Sequence, residues 1–113
     1  MTEGEKRILV RQRITKAKAT IRQVNNLLEF GYEDTAIDRI YYACFYAVQA
    51  LLAHMDNNPN SHKGALNMFS LHYIKTGIID EKFGKYYYRV FDHRMTADYD
   101  ESGLPDKEVL QAL

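Results

Sequence analysis

Tryptophan is missing from this chain, cysteine occurs once and proline twice. No apolar run reaches the roughly 18 residues that would span a bilayer. One cysteine, Cys44, excludes an internal disulfide, and its apolar setting points to a reducing cytoplasm. The N-terminus is charged from Glu3 onward, so no secretory signal is expected, and no membrane partner. Formal net charge is zero, so bulk charge singles out neither nucleic acid nor a membrane surface. The four histidines, His54, His62, His72 and His93, form no His-x-x-x-His or Glu-x-x-His pair, and neither a metal nor a cofactor is expected. No serine sits in a Gly-x-Ser-x-Gly elbow and Cys44 has no base near it in sequence, which removes the usual marks of nucleophilic catalysis. Internal repeats, low-complexity tracts and β-type alternation are absent too. The 113 residues read as one all-α domain, long enough to bury about two-thirds of the surface of the unfolded chain.

What is present is organised around the stretch from Ala36 to Ala53, which holds neither proline nor glycine. Ala36, Ile40, Ala43, Ala47 and Ala50 recur in steps of four and three, so they stack along one line of a helix. Four of the five are alanines, which let a neighbouring helix approach closely. The next line holds Ile37, Tyr41, Cys44, Val48 and Leu51, and a third holds Tyr42, Phe45 and Leu52. A helix apolar on most sides is a buried one, with surplus apolar surface that a second copy of the chain would cover. A homodimer is expected.

Before this helix, Val10, Ile14, Ala17, Ile21, Val24 and Leu28 form an a/d seam of a first helix from about Glu5 to Phe30. Arg11, Arg13, Lys16, Lys18 and Arg22 lie off that seam and are expected in solvent. Residues 1–30 carry seven lysines and arginines against three acids, and residues 31–60 carry one against four. Gly31 is placed for a left-handed cap, and Glu33 and Asp34 suit the first turn of the central helix. After the turn residues Asp56 to Asn60, Ser61 is an N-cap for a third helix of about His62 to Thr76, with Leu66, Phe69 and Tyr73 inward. Gly77 ends it. Asp80 caps a fourth helix with Phe83, Tyr87, Val90 and Arg94 on one line. Gly103-Leu104-Pro105 opens a short fifth helix carrying Val109, Leu110 and Leu113. That helix has no stop signal and reads as truncated or as a frayed tail. The expected architecture is an up-and-down four-helix bundle with this short fifth helix.

Arg94 breaks the apolar pattern, because it continues a buried line with a cation. Asp98, Tyr99 and Asp100 follow within two turns, and Asp98 is placed to pair with it. The alternative is a snorkelling arginine near a helix C-terminus. Ser61-His62-Lys63-Gly64 at the start of helix three places a lysine, a histidine and exposed amides where an anion can bind. Gly64 leaves room beside them. The plain alternative is an ordinary capped helix start. Tyr41-Tyr42 and Tyr86-Tyr87-Tyr88 offer stacking faces, although tyrosines at such spacing usually belong to a core or an interface.

The ordered set Arg39-Ile40-Tyr41-Tyr42-Ala43-Cys44-Phe45-Tyr46-Ala47, Ser61-His62-Lys63-Gly64, Lys75-Thr76-Gly77 and Arg94-x-x-x-Asp98-Tyr99-Asp100 resembles the HEPN domain, and within it the small stand-alone HEPN proteins. The resemblance implies a helical bundle, usually dimeric. It also implies pairing with a minimal nucleotidyltransferase in a two-component, toxin–antitoxin-like module. Active members carry R-x4-6-H, with the motifs of two protomers meeting at one RNA-cutting site. Here Arg94 matches the arginine, and Tyr99 stands where a histidine would follow. An imidazole titrates near neutrality, whereas a phenol with pKa about 10 is a poor base. Arg94 and Tyr99 are thus the catalytic candidates that the resemblance implies. Arg94, His62 and Lys63 are the candidates for nucleotide or RNA phosphate, and Asp98, Tyr41 and Tyr42 are structural or site-orienting. Three functions follow: a nucleotide- or RNA-binding subunit of such a module, a metal-independent ribonuclease toxin with a degenerate motif, and a non-catalytic scaffold. On the first, Arg94 is expected at the mouth of a cleft rather than closed in an ion pair within its own subunit.

Overall fold

A computed structural model describes the backbone of residues 1–99 and the side chains of residues 1–96. The short fifth helix expected after Gly103 lies outside the described residues. Among these residues four α-helices follow in order: α1, Glu3–Glu29; α2, Glu33–His54; α3, His62–Phe69, continued by a π-helical turn at Ser70–Ile74; and α4, Glu81–Tyr99. Among the described residues there is no strand, so the chain is all-α. No helix among them is long and apolar enough to cross a membrane.

Helix α1 starts two residues before the expected point because the Thr2 side chain caps it. The Thr2 hydroxyl accepts from the Glu5 amide at 3.1 Å and donates to the Glu5 carboxylate at 3.1 Å. The helix ends on Gly31 at φ 81°. The Tyr32 amide reaches back to the Leu27 carbonyl at 2.8 Å and the Gly31 amide to Leu28 at 3.2 Å, a Schellman closure that turns the chain straight into α2. A link this short makes α1 and α2 antiparallel neighbours.

The α1 seam is rotated from the expected one. Ala17, Thr20 and Val24 are buried, whereas Ile14, Ile21 and Leu28 are 41%, 51% and 44% exposed. Arg13, expected in solvent, is half-buried and donates to the Gln49 carbonyl at 3.2 Å and to Asn58 Oδ1 at 3.1 Å. Thr20 tolerates burial because its hydroxyl donates to the Lys16 carbonyl at 2.8 Å.

Helix α2 is the centre of the core. Tyr41 and Leu52, with Val90 of α4, are the largest side chains sealed from solvent. Truncating Leu52 to alanine costs about 2–5 kcal/mol. Leu66, Phe69 and Tyr73 turn inward as the spacing predicts. The α-helical part of the third helix stops earlier than expected, at Phe69. The backbone then widens, with the Lys75 amide bonded to the Ser70 carbonyl at 2.9 Å. In this turn Tyr73 stacks on Phe69 at 5.9 Å and its hydroxyl donates to the Leu51 carbonyl at 2.6 Å. Gly77, at φ 79°, ends the segment. Asp80 accepts from the Lys82 amide at 2.9 Å and starts α4, where Tyr87 and Val90 are buried. Phe83, expected on the same inward line, is 53% exposed.

Candidate phosphate site at the α2–α4 junction

Arg94 lies one turn beyond the buried Val90, where the α2–α4 core opens to solvent. Its guanidinium sits 4.7 Å from the centre of the Tyr42 ring and 5.3 Å from that of Tyr41. One terminal nitrogen donates to the Tyr42 hydroxyl at 3.1 Å and the other to Asp38 of α2. The expectation of a guanidinium with no ion pair in its own subunit is therefore corrected: Arg94 is paired, and its carboxylate is Asp38. The side chains of Asp98 and Tyr99 lie outside the described residues. The pair is not sealed, since Arg94 is 22% exposed and Asp38 46%. Among the described residues two of the five guanidinium N–H donors are engaged.

A second arginine approaches the Tyr42 ring. The Arg39 guanidinium lies 4.9 Å from the Tyr42 ring centre, and its Nε is buried with no hydrogen-bond partner among the described residues. Lys63 is exposed in the first turn of α3. Neither Arg39 nor Lys63 makes an ion pair among the described residues.

His62 arrives from α3. Ser61 caps that helix by accepting from the Gly64 amide at 2.9 Å, which fixes where the imidazole emerges. The room beside Gly64 is filled by the chain itself. A Cβ there would stand 2.8 Å from Ser61 Oγ and 3.3 Å from Pro59 Cβ. The His62 ring packs 4.3 Å from Phe45 and 6.0 Å from Tyr42, and its Nδ1 is 2.6 Å from the Tyr41 hydroxyl. Burial, and secondarily the Tyr42 and Cys44 charges, push the Tyr41 hydroxyl well above the usual phenol range, so it keeps its proton. Tyr41 and His62 thus share one hydrogen bond, whose donor is set by the imidazole tautomer.

Arg94 and His62 are thus brought to one aromatic pair, from helices that are far apart in sequence. His93, next to Arg94, is buried instead, with Nε2 unpartnered among the described residues. Sequence reasoning did not assign Asp38, Arg39 or Phe45 to the site, although Arg39 and Phe45 stand in the run from Arg39 to Ala47. Asp38 had a signal, being an acid one turn before Tyr42 on the same line of an otherwise apolar helix. The described residues hold no group of three metal-ligating side chains.

The HEPN domain pattern matches residues 10–113. The chain is 40% identical over 100 residues to the Methanocaldococcus jannaschii protein named "Putative toxin MJ0142", covering 88% of this chain and 68% of that one. It is 39% identical over 101 residues to a UPF0332 protein of Thermotoga maritima, covering 89% and 75%. A UPF0332 protein of Pyrococcus horikoshii is 40% identical over 60 residues, 53% of this chain and 42% of the other.

Proposed function

This chain belongs to the HEPN family, and from that premise we propose that it is a nucleotide- or RNA-binding subunit of a two-component module whose other part is a nucleotidyltransferase. The observation that supports this reading most is the setting of Arg94. A fork of N–H donors, only partly used by Asp38 and Tyr42, is partly exposed beside the tyrosine rings that Arg39 and His62 also approach. Planar guanidinium groups pair with phosphate through two parallel hydrogen bonds, and the site has more cations than facing carboxylates. A phosphate would take the free donors and draw Arg94 away from Asp38. The experiment is titration of a fluorescent mononucleotide. Arg94→Ala should weaken binding at least tenfold and Lys63→Ala less so, while Asp38→Asn should preserve or tighten it. Absence of binding by the wild type, alone and with a co-expressed nucleotidyltransferase, would refute the reading in favour of a scaffold, to which the Arg94–Asp38 pair within one chain already lends support.

Ribonuclease activity is the second reading, favoured by the toxin names of the relatives and by the imidazole of His62 on the same rings as Arg94. Metal-independent cutting of RNA that is lost in both Arg94→Ala and His62→Gln would establish it.

The same proposal includes a homodimer. An apolar groove between α1 and α2 is lined by Ile14, Ile21, Ala47 and Leu51. It continues across Ala47 and Leu51 into a second, lined by Cys44, Phe83 and Tyr86. A second copy covering this strip would bury the exposed Ile14, Ile21 and Phe83.

A further inference from the structure

The face of α2 that carries Tyr42 extends beyond Arg94. Along it Tyr42, Phe45 and Tyr46 are half-exposed and in mutual contact, with Tyr42 and Tyr46 ring centres 5.8 Å apart and Phe45 and Tyr46 6.1 Å apart. Each end of the row carries cations. Arg94 and Arg39 stand over Tyr42, while Lys16 of α1 stands over Tyr46 at 4.4 Å. Lys16 and Arg39 make no ion pair among the described residues. The two stations are four residues apart on α2, about 6 Å along the axis, which is a spacing between successive charges rather than within one phosphate group. From this juxtaposition we infer that Lys16 and Tyr46 form a second phosphate-and-base subsite, so that the ligand of this face is a single-stranded polynucleotide and not a mononucleotide alone.

The chemistry favours that ligand over other anions. Cations interleaved with half-exposed rings are what an unpaired strand needs, because its bases stack on the aromatics while its phosphates meet the cations. A duplex keeps its bases away from such rings. A cation–π contact at an exposed position is a weak hold, so a phosphate can draw Lys16 aside and bare the Tyr46 ring. The chain has zero net charge overall, so a local row of three cations reflects placement rather than bulk composition. The inference rests on the proposed role of Arg94 as a phosphate contact.

The test is anisotropy titration of fluorescein-labelled uridine monophosphate and of oligouridylates of two, four and eight nucleotides, with an eight-nucleotide DNA arm. The wild type should bind the eight-mer at least tenfold tighter than the mononucleotide. Lys16→Ala and Tyr46→Leu, with helix content verified by circular dichroism, should weaken the eight-mer three- to tenfold and leave the mononucleotide unchanged. Lys16→Ala should also reduce the salt slope by about 0.7, one single-strand phosphate contact. Equal binding of DNA supports the subsite as well, and weaker binding of DNA adds a contact to the 2′-hydroxyl. If length brings no gain, or if both variants bind the eight-mer like the wild type while Arg94→Ala still loses the mononucleotide, this inference is wrong and the role of Arg94 stands. If the wild type binds neither probe, both fall together. A change of sedimentation state without loss of RNA affinity would make the face a contact between copies and overturn the inference.

Discussion

Asp38 of α2 and Arg94 of α4, separated by 56 positions, form an ion pair at the edge of the core, and Tyr42 holds the same guanidinium from the other side. Both charges are partly in water, so screening limits the pair to about 1 kcal/mol or less. Asp38→Asn is expected to lower stability by no more than this in urea unfolding. A loss of more than about 3 kcal/mol would mark the pair as a buried structural element.

The Tyr41–His62 hydrogen bond ties the start of α3 to the central helix. Tyr41→Phe keeps the ring and removes the bond, and should cost about 0.5–1.5 kcal/mol. An unchanged urea midpoint would mean that the hydroxyl contributes nothing to docking α3.

Burial pushes the Tyr86 hydroxyl up to about 12, with the Cys44 charge a lesser cause. Tyr41 and Tyr87 are raised further, again first by burial. Unfolded tyrosines ionise near pH 10 (about 10), so above that pH the folded state holds more protons. The stability these phenols contribute is whole below the unfolded value and is lost as the pH rises toward about 12. Urea midpoints should therefore fall between pH 9 and 11 (roughly, for tyrosine), and a flat profile would contradict the burial of these rings.

Cys44 is pushed up to about 11 by burial. At mildly alkaline pH it is a thiol, and the thiolate is the reactive species. Aromatic disulfide reagents should modify it far more slowly in the native protein than in urea. Equal rates would show the α2 groove to be open.

A dimer across the apolar strip should be disrupted by Ala47→Glu, which places a charge where the two grooves meet. Sedimentation of the wild type as a dimer and of this variant as a folded monomer is the expected outcome. A monomeric wild type at high concentration would remove the dimer from the proposal.

Helices α1 to α4 were legible because their signals are local: Gly31 and Gly77 at left-handed stops, Ser61 and Asp80 at helix starts, and four-three spacing in α2. The face of α1 was legible only to within one side of its stripe. Ile14 and Ile21 have the right period, yet burial follows Arg13, Ala17, Thr20 and Val24, since a polar side chain can be buried when its bonds to Gln49 or Lys16 are made. The site was legible as separate parts. Arg94, His62, Lys63, Tyr41 and Tyr42 each stood out, but the carboxylate opposite Arg94 was sought at Asp98, nearby in sequence, while the partner found is Asp38 across the bundle. Pairings of that kind are set by helix packing and leave no local trace.

The measurement closest to the central claim is the NMR signal of the Arg94 guanidinium Nε–H, assigned by its disappearance in Arg94→Lys, during titration with a mononucleotide and with short RNA. A saturable shift that is abolished when the phosphate is removed from the nucleotide is the result predicted here. A signal that stays fixed at saturating ligand, with Arg94 still held by Asp38, would contradict it.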